Sequence, residues 1–528
     1  VRSMFEQFKL ALPDAPLLFI IEALMAKVLY LFHYSSQNEC ILMAVKLTDS
    51  LLPPLAAIPV CLIARELKSG GNKTQLFNTI IICYSIINLT TVTVFPSGLQ
   101  KNAFAIVWVF SCMYFLIKYI KNRQKKDVYY IIGIVFLCAL THFGSLSIIL
   151  FLIAVLGITW LCYNPGYFKQ LTLKRLLIAA GIILVLITII GLYDSARLLR
   201  LLKIPFKIVE YPVLLMLLHG DDVGAYFSPG HMIVTNLMAI IAFVIVFFNR
   251  KKLSKEDKLI SAWLIISALL LSSPLIGLEW ANRLYVLSYI PVTVLYLAIV
   301  NNSIARLPKL VSVAMFSLLI ILSLLNVRAS NSCISNEAYE EFTKLKTKVD
   351  FTKKTVVIGR QDLRLLAGWE FRTKSASEYL FTKEDFKNYD HVYVIRQIKG
   401  SNFSPTRFRG DALVPVNSVK LYAGNCFDLY QLKSSEGWEG GKGKPAGVRG
   451  KIIDHHENSI AIRNDKTGSI KIVELDSHVL ITLKNGKHKI ENGIYVEVYG
   501  KRKAFSLHFI AESVNEIDGD KETKGLSR

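Results

Sequence analysis

Charge is scarce over most of this chain. Only 19% of its 528 residues are Asp, Glu, Lys or Arg, while 52% are hydrophobic and the mean hydropathy is +0.41. Soluble domains carry about 25% charged residues, so the balance excludes an ordinary soluble enzyme. Cysteine is also thin where it would carry chemistry. Six of the eight (Cys40, Cys61, Cys83, Cys112, Cys138 and Cys162) fall in or beside apolar segments, where a thiol packs as a small hydrophobe. The sequence has no CxxC pair and no Cys/His cluster at metal-binding spacing. Cys333 and Cys426 remain, and a disulfide between them is permitted if the tail is exported. The chain begins with Val and shows no signal-peptide pattern.

Long apolar runs fill the first 326 residues instead. Runs of 17 residues or more cross a hydrocarbon core of about 30 Å. They predict about ten spans, near 41–64, 77–95, 103–119, 128–141, 144–162, 175–193, 231–248, 259–275, 284–300 and 308–326. Thr141-His142-Phe143-Gly144-Ser145 splits what would otherwise be one long helix over 128–162. The net charge of +22 collects in short loops: Arg65 and Lys68, Lys118 to Lys126, Lys169 to Arg175, Arg250 to Lys258, and Arg306 with Lys309. These loops alternate along the spans, as cytoplasmic loops do under the positive-inside rule. The charge therefore predicts topology and no nucleic-acid partner. Loops 33–40, 96–102, 141–145, 194–230 and 276–283 fall on the outer side, with everything after about residue 330.

Several polar residues stand out against this background. Segment 16–32 carries Glu22 and Lys27 and reads either as a poor span or as an interfacial amphipathic helix. Lys46 and Asp49 are three residues apart, which predicts a structural ion pair on one helical face. His219-Gly220-Asp221-Asp222 holds the one adjacent acidic pair in the outer loops of the bundle. It could hold a divalent cation, act as a base, or form a solvated turn. Arg283, in Glu279-Trp280-Ala281-Asn282-Arg283-Leu284-Tyr285, sits between two apolar segments. A cation there faces protein, water or an anionic ligand, or snorkels as an interfacial anchor.

The tail divides in two. Residues 331–433 predict a small α/β domain with strands at Thr355–Gly359, His391–Gln397 and Lys420–Leu432 and a short helix at Lys383–Tyr389. A Gly-rich linker over 434–447 follows, then short strands over 448–514 that predict a small β-barrel or OB-like domain, and a polar tail over 515–528. From residue 448 onward 14 basic residues face 12 acidic ones, which disfavours an oligonucleotide ligand. The five histidines there could include a metal site or be scattered surface residues.

The first 434 residues resemble the GT-C superfamily of membrane glycosyltransferases, whose donors are polyprenyl-phosphate-linked sugars. The resemblance rests on Asp14-Ala15-Pro16-Leu17-Leu18 before an apolar helix, Ile63-Ala64-Arg65-Glu66-Leu67 at a span end, Gln100-Lys101-Asn102-Ala103-Phe104, Leu140-Thr141-His142, Asn282-Arg283-Leu284-Tyr285 with Tyr289-Ile290-Pro291, and the tail ending Phe427-Asp428-Leu429-Tyr430-Gln431-Leu432. It implies a GT-C-like multi-span bundle over 1–330 that transfers a sugar to an extracytoplasmic acceptor. It also implies that Arg283, Lys101, Asn282 and Trp280 meet the lipid phosphate, that His142, Asp221 and Asp222 serve catalysis, and that 16–32 is interfacial. A divalent metal ion is an option under the same likeness. The family's usual acid in the first external loop has no counterpart here, so the chain reads as lacking the first span and that loop. Two rivals stand beside the transferase: a transporter or flippase of lipid-linked glycans, and an envelope scaffold anchored by the bundle.

Overall fold

The computed structural model describes residues 17–67, 74–94, 100–166, 212–214, 229–302, 306–329, 334–359, 361–378, 380–398, 414–415, 417–438, 440, 447–456, 458–463, 470–483, 490–502 and 509–516. The chain divides into two compact units between Ala329 and Ser330.

The first unit is a helical bundle. Its described helices are α1 (Leu17–Leu31), α2 (Gln37–Leu51), α3 (Ala57–Glu66), α4 (Gln75–Ile86), α5 (Gln100–Asn122), α6 (Lys125–Thr141), α7 (Phe143–Tyr163), α8 (Pro229–Asn249), α9 (Lys255–Leu271), α10 (Leu278–Leu284), α11 (Tyr289–Asn302) and α12 (Arg306–Ala329). Among the described residues five helical runs are long and apolar enough to cross a membrane: Gln37–Glu66, Gln100–Asn122, Phe143–Tyr163, Met232–Asn249 and Lys309–Val327. Four helices at predicted spans are short for a crossing. α4, α6, α9 and α11 have 12, 17, 17 and 14 residues, below the roughly 20 that a perpendicular crossing takes at 1.5 Å per residue. The stretch predicted as a span at 77–95 stops being an α-helix at Ile86, because Asn88 turns its carboxamide onto the Tyr84 carbonyl and the amides of Thr90 and Thr91. The run at 41–64 is broken by a 3-10 turn at Pro53–Ala56, where two prolines remove donors from the ladder. The predicted break at residue 142 is present, between α6 and α7. The span predicted at 175–193 lies outside the described residues.

α5 and α11 form the axis of this unit. Buried faces of α5 (Val109, Phe110, Met113, Ile117) and of α11 (Val292 to Val300) make one core with Trp263, Phe316 and Ile149. Polar ties between helices supplement packing. Asn78 and Asn301 exchange carboxamide hydrogen bonds at 3.1 and 3.0 Å, Trp263 donates to the Leu152 carbonyl at 2.9 Å, and Tyr296 donates to the Met238 carbonyl at 2.9 Å. In apolar surroundings each such tie contributes about 0.6–2 kcal/mol. The end of the bundle carrying the C-terminus of α5 is laced by charge: Lys118 to buried Asp127 at 3.8 Å, Lys121 to Asp257 at 3.7 Å, and Asn122 to Glu66 at 2.9 Å. Arg283 belongs to the other end.

The second unit holds two sheets. The first is five-stranded in the order β2-β1-β3-β5-β4, formed by β1 (Thr355–Gly359), β2 (Lys374–Ser377), β3 (His391–Gln397), β4 (Val419–Ala423) and β5 (Phe427–Leu432). β1 is parallel to β2 and β3, and β5 is antiparallel to β3 and β4. Helices α13 (Asn336–Leu345) and α14 (Gln361–Phe371) stack Phe342 on Phe371 at 5.1 Å. Both helices and β2 escape the sequence reading. The stretch expected as one strand, Lys420–Leu432, is a hairpin. Its turn wraps the Glu341 carboxylate, which accepts from the amides of Asn425, Cys426 and Phe427 at 2.9–3.1 Å. A Cβ at Gly424 would collide with that carboxylate. Cys426 is buried, and Cys333 lies outside the described residues.

The Gly-rich stretch after β5 is not a free linker throughout. Trp438 is 1% exposed, packs edge-on to Phe381 and Phe386, and donates to the Phe381 carbonyl at 2.8 Å. The second sheet is a closed barrel in the order β10-β8-β7-β6-β9, from β6 (Gly447–His456), β7 (Ser459–Arg463), β8 (Ile470–Thr482), β9 (Tyr495–Arg502) and β10 (Phe509–Glu516), with β8 and β10 parallel. Ile452, Ile460, Ile462, Val473, Val496, Val498 and Val514 fill it. β8 is the longest of these strands, continuous over 13 residues.

Candidate functional site

α5, the α6–α7 junction and α10 bring three of the sequence's candidate residues together. His142 stands at the N-cap of α7. Its Nδ1 accepts from the Ser145 amide at 3.1 Å and lies 3.1 Å from the Ser145 hydroxyl, which donates to Asn102 at 3.4 Å. That pattern assigns the lone pair to Nδ1 and the proton of the neutral ring to Nε2. The capped-turn role is thus in place, and the free edge of the ring is a donor. Burial, followed by the nearby Lys101 and Arg283 cations, pushes His142 down to about 4. The ring is therefore neutral at pH 7.

Arg283 is exposed on α10, with its guanidinium carbon 5.5 Å from the centre of the Trp280 ring, a cation–π geometry. The Trp280 indole nitrogen is buried without a hydrogen-bond partner. α10 is held rigidly from behind. Tyr285 donates to the Ser273 carbonyl at 2.6 Å, and the amides of Val213 and Leu214 pair with the carbonyls of Ile276 and Pro274 at 3.0 and 2.9 Å. Asn282 lies on the backbone of α10 between Trp280 and Arg283; its side chain is outside the described atoms. Asp221 and Asp222 lie outside the described residues.

The structure also supplies acids that the sequence reading placed elsewhere. Asp49 does not pair with Lys46. Its Oδ2 accepts from the Gln100 carboxamide at 2.7 Å, and Lys46 is exposed. The predicted ion pair fails because Gln100, the first residue of α5, reaches Asp49 from a neighbouring helix. Glu22 of α1 is 2% exposed, accepts from the Thr48 hydroxyl at 3.3 Å, and lies within electrostatic reach of Asp49 and Lys101. The Lys101 ammonium sits 4.3 Å above the Phe19 ring of the same helix. Lys101 thus lies within electrostatic reach of both Glu22 and His142. The sequence signal was available: two acids within apolar helices, each needing a partner.

A cavity of about 310 Å³ opens beside α10. It is lined by Tyr84, Asn88, Thr90, Tyr285 and Tyr289 together with residues of α8 and α12. Among the described residues no group of three or more His, Cys, Asp or Glu side chains is arranged to hold a metal ion. In the barrel, His455 pairs with Asn492 at 2.9 Å and His456 with Asp454 at 3.6 Å, both on the surface. No protein-family profile matches this chain, and no curated protein matches it.

Proposed function

We propose that the protein is an integral membrane glycosyltransferase that moves a sugar from a polyprenyl-phosphate carrier to an acceptor outside the cell membrane. The observation that carries this reading is the meeting of Arg283, Lys101 and neutral His142 at one end of the bundle, with the Glu22 carboxylate within electrostatic reach of both Lys101 and Asp49. Basic loops crowd the opposite end, which under the positive-inside rule is cytoplasmic. The Arg283 end then faces outward. The barrel's order, with its first and fourth strands adjacent and its third and fifth parallel, supports an OB-like accessory domain.

The chemistry follows from the residues. The acceptor hydroxyl oxygen attacks the sugar's anomeric carbon while the bond from that carbon to the phosphate oxygen breaks. The bond's electron pair leaves with the phosphate, whose charge Arg283 and Lys101 hold; guanidinium gives planar, multidentate contact to such an oxyanion. Asp49, oriented by Gln100, is the carboxylate that takes the acceptor's proton. His142 offers its Nε2–H as a donor to the leaving phosphate, and it costs no charge repulsion with the two cations because it is neutral.

The phosphate role is tested by titrating a polyprenyl monophosphate into the purified full chain in nanodiscs. Arg283→Ala weakens binding at least tenfold with an unchanged gel-filtration profile. Equal affinity in the variant rejects the assignment of Arg283.

A further inference from the structure

The barrel turns one face of β6, β7 and β8 outward, and its register fixes which residues share that face. Ile452, Ile460, Ile462 and Val473 point into the barrel and are 0–1% exposed, so the residues alternating with them point out. They form three cross-strand rows. Lys451 lies beside Arg463, and Arg463 beside Ile470. The middle row is Asp454, Ala461 and Ile472, and the third is His456, Ser459 and Glu474. The face is therefore cationic at one end and acidic toward the other, with an aliphatic strip along β8. Ile470 and Ile472 are 48% and 41% exposed, and Ile453, at the bulge beside Asp454, is 37% exposed. Aliphatic side chains exposed at neighbouring positions and rimmed by charge mark an interaction surface.

The residues narrow what covers it. In OB-like barrels the second and third strands carry the face that binds oligonucleotides and oligosaccharides. Single-stranded nucleic acid is held there by aromatic stacking, yet none of the positions in the three rows is Phe, Tyr or Trp. A lipid surface also matches poorly. Interfacial faces set Lys and Arg around their apolar residues, whereas Asp454 and Glu474 stand at the acidic end here. Because the barrel is closed, it offers no edge for an added strand.

The charge pattern fits its own copy. A two-fold axis along the middle row turns the first row of one chain onto the third row of another. Ala461 and Ile472 then meet their own counterparts. Arg463 comes over Ser459 of the second copy, beside that copy's Glu474, and Lys451 comes over His456, within reach of Asp454. Each contact occurs twice, as an isologous interface requires. The two Asp454 carboxylates approach at the edge, where Lys451 of each chain offsets them. Three rows of three residues fall short of the roughly 20–30 residues a side of a stable interface, so the contact is weak between free chains. Copies held in one membrane share a plane and an orientation, and the effective concentration supports it there.

We propose that the β6–β7–β8 face of the barrel is a contact between two copies of this chain, with the aliphatic strips packed together and Arg463 paired to Glu474 across the two-fold axis. The proposal is independent of the transferase reading.

The full chain carrying Ile472→Cys, reconstituted in liposomes, reads the contact through a short bismaleimide, because facing sheets pack about 10 Å apart. Crosslinked dimer exceeds that formed by the protein's own cysteines, whereas Glu497→Cys on β9 adds none. Arg463→Glu cuts the Ile472→Cys dimer at least fivefold, and adding Glu474→Arg brings it back to within twofold. Hydrogen exchange of the β7 and β8 peptides stays unchanged in the charge variants, since Arg463 is exposed and Glu474 is partly so. No dimer at Ile472→Cys, or dimer insensitive to Arg463→Glu, overturns the proposal. A bimane on Ile472→Cys tells the occupants apart: its emission shifts to the blue only at high protein-to-lipid ratio. A blue shift that survives dilution with excess lipid gives the face to the membrane and overturns the proposal as well.

Discussion

Gln100 donates its carboxamide to Asp49 across 2.7 Å, joining the first turn of α5 to α2. The bond orients the Asp49 carboxylate at the first turn of α5, where Gln100 is followed by Lys101. Gln100→Leu removes the orientation but leaves the acid. In the transferase reading it lowers kcat roughly tenfold or more with KM for the donor within twofold, because positioning of a proton acceptor contributes about 10²–10⁴-fold. Asp49→Asn lowers kcat further. An unchanged kcat in both variants places the base elsewhere.

His142 predicts a pH dependence of stability whose sign is fixed. Its folded value of about 4 lies below the ordinary 6.5, so the unfolded chain binds more protons between those values. Stability attributable to the neutral ring is present above about pH 6.5 and is lost as pH falls toward 4. Thermal unfolding in detergent at pH 7.5 and 5.0 measures it. His142→Asn keeps an N-cap acceptor for Ser145 and flattens the difference between the two pH values. His142→Ala flattens it too but also loses about 1 kcal/mol at pH 7.5 with the cap.

The folding of the second unit depends on two contacts that carry no proposed chemistry. Trp438 fills the core against Phe381 and Phe386, so Trp438→Ala destabilises that unit by about 3–5 kcal/mol. Denaturant unfolding of the full chain, followed by hydrogen exchange of peptides from β1 and β3, checks it; native exchange there would mean that the stretch after β5 is dispensable.

Glu341→Gln halves the acceptor capacity that meets three backbone amides at the β4–β5 turn. Charge-assisted bonds contribute about 1.5–3 kcal/mol each at most, so a loss of about 2 kcal/mol in the same unfolding experiment is expected. Gly424→Ala produces a similar loss by steric conflict with the same carboxylate.

The sequence is most legible where one physical signal dominates. Apolar runs and the His142 and Gly-rich interruptions located most of the helices and the two-part tail, and β1 and β3 fall where period-2 patterning put them, whereas the break at Pro53 inside the span expected at 41–64 was not read. It is least legible where a partner comes from far along the chain. The spacing of Lys46 and Asp49 suggested a local pair, yet Gln100 claims the carboxylate from 51 residues away. Trp438 reads as linker until Phe381 is placed under it. Span lengths misled for a different reason: hydropathy counts residues, whereas Asn88 ends α4 by bonding its own backbone. In the candidate site, Arg283, Lys101, His142, Glu22 and Asp49 were all visible as polar residues among apolar runs, while the Gln100–Asp49 and Thr48–Glu22 hydrogen bonds became visible only through packing.

The most direct test of the transferase is sugar transfer from a radiolabelled polyprenyl-phosphate sugar by the full chain in liposomes, read as release of polyprenyl phosphate together with label on a glycan acceptor. Arg283→Ala abolishes both, by at least 100-fold, while the variant inserts and purifies as the unaltered protein does. Transfer that survives Arg283→Ala within twofold contradicts the account.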